Sequence, residues 1–205
     1  MQTNNNKIFL RGRLAASPAL SHINHGTEYF LLPLTVCRLS GAADTLHVVA
    51  ARDQLAALPP LEEDSPLTVR GEVRTFNNRS GVGSRLVVSV FARELSQEDG
   101  EDENHLEISG ALCKPPVLRT TPLGRTICDM ILAANRRYGR ADYLPCIAWG
   151  SLAYRCGSMQ VGDHLALEGR LQSRIYTKEV DGRPQERTAF EVSIMSLADE
   201  DTYAL

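Results

Sequence analysis

The amino-acid sequence predicts an all-β fold: two tandem five-stranded Greek-key barrels, each with one short helix between its third and fourth strands. Three observations carry this expectation. The chain repeats itself at a constant offset of 98 residues, short runs of alternating apolar and polar residues are broken by glycine and proline, and each repeat holds a single helix-like stretch.

The repeat sets the frame. Compared without gaps, Asn6–Gly71 and Asn104–Gly169 are identical at fifteen of 66 positions, where ordinary composition gives about four. Among the identities are Gly12/Gly110, Gly26/Gly124, Leu34/Leu132, Arg38/Arg136, Asp44/Asp142, Leu46/Leu144 and Gly71/Gly169. The second copy then has a hairpin four residues longer, and register resumes at an offset of 102 with Arg85/Arg187, Val90/Val192 and Leu95/Leu197. A hairpin tip is where a β domain best tolerates an insertion. The expected organisation is a first domain over 1–97, an acidic linker over 98–103, a second domain over 104–197 and an acidic tail over 198–205.

The elements follow in order. Lys7–Leu14 and His105–Leu112 alternate apolar and polar residues until Pro18 and Pro115–Pro116 break them. Second runs cover Tyr29–Cys37 and Ile127–Asn135, third runs Leu46–Ala51 and Tyr143–Trp149. Fourth runs cover Leu67–Thr75 and Leu165–Tyr176, and last strands Arg85–Phe91 and Arg187–Met195. The helical candidates are Asp53–Leu58 and Ser151–Met159. Five strands with a helix before the fourth match an OB-type barrel. A β-sandwich built from the same strands is the competing architecture.

Composition narrows the function. With 43% hydrophobic and 23% charged residues the chain reads as globular. No run of ~18 apolar residues is present and the start lacks the apolar stretch of a signal peptide, so no membrane partner and a cytoplasmic location are expected. Cys37, Cys113, Cys128, Cys146 and Cys156 form no C-x-x-C pair. They read as small buried apolar side chains rather than disulfides or zinc ligands. The five histidines share no ligand spacing and no nucleophile, phosphate-loop or metalloprotease motif occurs, so neither catalysis nor a cofactor or metal is expected. The net charge of −3 hides an asymmetry, because residues 98–103 hold five acids and no base while each flanking body is mildly basic.

The second copy interleaves aromatic rings with cations. Arg136, Arg137, Tyr138 and Arg140 occupy one hairpin, Tyr143 and Trp149 share one face of the strand that follows, and Arg174, Tyr176 and Lys178 lie on the next hairpin. Binding single strands regardless of sequence needs such a mixture, since every base offers a π-face and every nucleotide a charge. The face with Tyr143 and Trp149 also suits a barrel interior or a subunit interface.

Residues 104 to 197 resemble the bacterial single-stranded DNA-binding protein family. The resemblance is carried by Asn135-Arg-Arg-Tyr138, Trp149-Gly-Ser-Leu-Ala153, Gly162-Asp163 leading to Glu168-Gly-Arg-Leu-Gln-Ser-Arg174, and Arg187-Thr-Ala-Phe-Glu-Val192. It implies base stacking on Tyr138, Tyr143, Trp149 and Tyr176. Phosphate contacts are expected from Arg125, Arg136, Arg137, Arg140, Arg170, Arg174, Lys178 and Arg187. Family members commonly assemble four OB domains, which implies a homodimer here. The tail Ala198–Leu205 is similar to the acidic tip through which the family recruits replication and repair proteins, although it lacks the Pro-Phe ending.

The first copy has Thr45, Ala51 and Asn78 where the second has Tyr143, Trp149 and Tyr176. Only auxiliary contacts are expected there, from Arg74, Phe76, Arg79 and Arg85, and the domain is expected to be chiefly architectural. The rival function is a protein-interaction module, such as a primosomal or recombination accessory protein, that touches DNA only incidentally.

Overall fold

The computed structural model describes residues 6–78, 84–136, 139–180 and 182–198, without the side chains of Lys178 and Val180. The chain forms two compact units. Residues 7–74 and 87–105 make the N-terminal unit; Asn6, residues 75–86 and the chain from Leu106 onward make the C-terminal unit. These limits differ from those of the repeat because the acidic stretch is bonded into the N-terminal unit. Arg13 donates to Asp99 at 3.0 Å, the Cys37 amide donates to Asp102 at 2.6 Å, and Arg11 lies 3.7 Å from the Glu103 carboxylate.

The N-terminal barrel is built from β1 (Asn6–Leu14), β2 (Ala19–Asn24), β3 (Thr27–Cys37), β4 (Ala43–Ala51), α1 (Arg52–Ala56), β5 (Pro66–Asn77) and β6 (Leu86–Ser96). Its strands follow the order β2-β3-β4-β6-β5-β1, and β1 returns to pair with β3. That return closes a five-stranded barrel and removes the sandwich alternative. The pairs β1–β3, β1–β5, β2–β3 and β3–β4 run antiparallel, whereas β4 and β6 pair in parallel at Val48 and Val90. The period-2 pattern turns Leu10, Leu32, Leu34, Leu46, Val48 and Val69 into a fully buried core.

The C-terminal barrel repeats the plan with β7 (Glu103–Leu112), β8 (Val117–Thr120), β9 (Thr126–Asn135), β10 (Ala141–Trp149), α2 (Ser151–Gly157), β11 (His164–Val180) and β12 (Arg183–Leu197). The order is β7-β11-β12-β10-β9-β8, closed where Leu112 pairs with Leu132. Leu106, Leu132, Leu144, Leu171 and Val192 fill its interior, with Ala153 and Cys156 packed in from α2.

The architecture is the expected tandem OB fold with one addition: an edge strand, β2 or β8, hydrogen-bonded to β3 or β9 outside the barrel. Neither was readable as a strand. β2 is exposed at all six residues and β8 at all four, so neither alternates. Two repeat identities mark the closure: a Cβ on Gly12 would stand 2.1 Å from the Thr35 carbonyl oxygen, and one on Gly110 would stand 2.4 Å from that of Ala133. Only glycine lets the first strand cross so close to the third. Three cysteines are buried as expected, and burial pushes the Cys146 thiol up to about 12 and the Cys156 thiol to about 11. Cys37, however, is exposed at the end of β3 and Cys113 is half-buried. Among the described residues no helix is long and apolar enough to cross a membrane.

Candidate nucleic-acid interface

Strand β10 sends Asp142, Leu144, Cys146 and Ala148 into the barrel and Tyr143, Pro145, Ile147 and Trp149 to its outer face. Tyr143 is 51% exposed and Trp149 37%, so neither ring is core. Trp149 stands opposite Ile127 of β9, which is buried to 2% although it shares that outer face. The outer face runs on across the sheet. Ile147 is level with Ser193 of β12, and Ser193 is opposite Arg170 of β11. From that row the three strands lead toward the same end of the sheet: β10 to Tyr143, β12 to Arg187, and β11 through Gln172 and Arg174 to Tyr176. Tyr176 is paired directly with Arg187, and the Arg174 guanidinium lies 5.5 Å from the centre of its ring. In the other direction lies the Trp149 end, with the exposed Arg125 in the turn before β9. Tyr143 and Trp149 are six residue steps apart along the strand, about 20 Å.

The cations divide into two kinds. Arg136 is committed: its Nε and Nη2 donate to the carboxylate of Asp142, which is fully buried, and Nη2 also donates to the Thr75 carbonyl at 2.9 Å. The same carboxylate accepts the Thr75 amide at 2.6 Å, and the Thr75 hydroxyl accepts the Tyr143 amide at 2.9 Å. The first copy holds the matching pair Arg38 and Asp44, with Nε to carboxylate at 2.7 Å. The Arg136 and Thr75 bonds brace the backbone beneath Tyr143. Arg74 is likewise drawn to the carboxylate of Glu72. Arg170 is half-buried, and its Nε is a buried donor with no hydrogen-bond partner among the described residues.

Arg174 remains 56% exposed in its side chain although its Nε is 3.6 Å from Glu191, a carboxylate that also accepts Gln172 Nε2 at 2.9 Å. Arg125 and Arg140 are exposed, and Arg187 is half-exposed with Nη2 3.4 Å from Gln185. Phe76, 56% exposed, and Arg85 belong to the 75–86 segment of the C-terminal unit. Arg79, Arg137 and Tyr138 lie outside the described residues, as does the side chain of Lys178. Tyr154, which no sequence motif marks, is a 61% exposed ring on α2 whose hydroxyl is 3.2 Å from that of Thr126. Its place in an amphipathic helix gave no sign that it sits beside the Trp149 end.

The profile described as the single-strand binding protein family matches residues 103–198. Single-stranded DNA-binding protein B of Bacillus subtilis is 32% identical over 83 residues, which cover 37% of this chain and 74% of that protein. The chain belongs to the single-strand binding protein family. Single-stranded DNA-binding protein 2 of Listeria innocua, another family member, is 31% identical over 87 residues, 39% of this chain and 54% of the relative. The chain thus spans about half the length of the first curated relatives it matches. Among solved structures, the wild-type single-stranded DNA binding protein from Thermus aquaticus superposes with a TM-score of 0.75 at 25% identity. That superposition covers 94% of this chain and 91% of that one. Unlike the sequence matches, it takes in both barrels of this family member.

Proposed function

We propose that this family member binds single-stranded DNA without regard to sequence and acts in replication, recombination or repair. The observation that carries the reading is the outer face of the C-terminal barrel, where Tyr143 and Trp149 are exposed on one strand and Arg174 lies over Tyr176 two strands away. Rings of this kind stack on bases of any identity and the exposed guanidiniums meet phosphates. The names of the relatives, single-stranded DNA-binding proteins, support the same reading. Two chains pairing would give four OB domains, closed by one two-fold contact. The tail over 199–205 lies outside the described residues; its acids suit recruitment of replication or repair proteins.

The test is a ranking of alanine substitutions by anisotropy of a labelled oligo-dT. Tyr143→Ala and Tyr176→Ala should each weaken binding by about 1–3 kcal/mol, and Phe76→Ala by less. The reverse ranking would move the interface away from this face. No binding by the wild-type chain at low salt would leave the protein-interaction reading.

A further inference from the structure

The N-terminal barrel lacks rings at the positions matching Tyr143 and Trp149, yet its outer face is not bare. Trp149 and Ile127 form a directly opposed pair on β10 and β9. At the offset of 98 the matching pair is Ala51 and Tyr29, directly opposed on β4 and β3. The aromatic residue has changed places with its aliphatic neighbour across the ladder, so a ring still occupies that spot on the barrel. The β2–β3 pairing, shifted between Leu20 and His22, brings His22 opposite Tyr29. The two rings stack at 5.0 Å between centroids with 10° between their planes. Phe91 of β6 follows at 5.7 Å from Tyr29, tilted by 45°, and Arg93 lies 5.2 Å over Phe91.

From this arrangement we infer that the N-terminal barrel carries its own stacking platform for single-stranded nucleic acid, formed by Tyr29, His22 and Phe91 with Arg93 at its margin. The inference rests on the proposed function and departs from the expectation of a chiefly architectural first domain. A ladder of flat rings bordered by a guanidinium matches a stack of bases joined by phosphates better than it matches an apolar protein surface. Arg93 is 3.1 Å from Glu72, but its side chain stays 55% exposed and able to share with a second anion. His22 bonds Ser21 through Nδ1 at 3.1 Å and lies exposed on the edge strand, where a base can reach its outer side.

The chain has a single tryptophan, and it lies in the C-terminal barrel, so fluorescence separates the two platforms. The probe is oligo-dT of about 32 nucleotides, enough for two OB barrels at the upper end of the usual site size. In the double variant Tyr29→Trp, Trp149→Phe the one indole reports the N-terminal barrel, and its emission should be quenched in a saturable titration that weakens with salt. A flat signal there, with the wild-type Trp149 emission quenched by the same oligonucleotide, would overturn the inference. A flat signal in both would sink the proposed function instead. Tyr29→Ala in the otherwise unchanged chain gives an independent reading. The dissociation constant should rise about fivefold or more. An unchanged constant, or a change of oligomeric mass in its place, would mark the ring as packing or as a contact between copies.

Discussion

Two arginines on the C-terminal barrel, 38 residues apart, do opposite work. Arg136 holds a carboxylate that has no access to water, and Arg174 lies over a ring at the surface. Replacing Arg136 with Met leaves Asp142 buried with one partner fewer and should cost about 3 kcal/mol of stability in urea unfolding. Arg174→Met should leave stability near wild type and reduce the slope of log affinity against log salt by about 0.7. Equal stability losses in the two variants would erase this division. The sequence could not separate them, since both are arginines next to tyrosines in a polar stretch; only the shared Arg38/Asp44 and Arg136/Asp142 identities hinted at a paired structural role. Cys37 offers a test of a different kind. A hydrogen bond and the negative charge of Asp102 push its thiol above the ordinary value, so less thiolate is present near neutral pH and reaction with a thiol reagent is slowed. Asp102→Asn should speed that reaction between pH 7 and 8, while Cys146 and Cys156 stay unreactive until unfolding. An unchanged Cys37 rate would contradict the assignment.

At the scale of elements, the barrels were legible because strand alternation and the repeat agree, and closure follows from two glycines that the repeat fixes. Gly110→Ala pushes a methyl into the Ala133 carbonyl at the β7–β9 crossing, and should destabilise the chain by about 1–3 kcal/mol in thermal or urea unfolding. Tolerance of that change would show that the crossing relaxes freely. Less of the site was legible. Parity along β10 placed Tyr143 and Trp149 together, but the exchange of Trp149/Ile127 for Ala51/Tyr29 involves two strands. A position-by-position comparison of the copies records only a lost tryptophan and misses the ring gained across the ladder. His22 was hidden for a similar reason, since a register shift in an exposed edge strand sets its partner.

For the whole molecule, the negative net charge misleads because the acids are concentrated. Asp99, Asp102 and Glu103 are bonded within the N-terminal unit, where they neutralise Arg11 and Arg13 and cap the Cys37 amide. Arg125, Arg140 and Arg174 are exposed cations of the C-terminal unit and contribute a positive field there. Sedimentation should give a mass of two chains, both with and without oligo-dT, if four barrels assemble; a lasting monomer would rule that out. The most direct measurement is the emission of Trp149 during titration with oligo-dT at several salt concentrations. Saturable quenching should appear, with log affinity falling against log salt by roughly 0.7 for each phosphate neutralised. Emission that stays constant at low salt would contradict base stacking on this face.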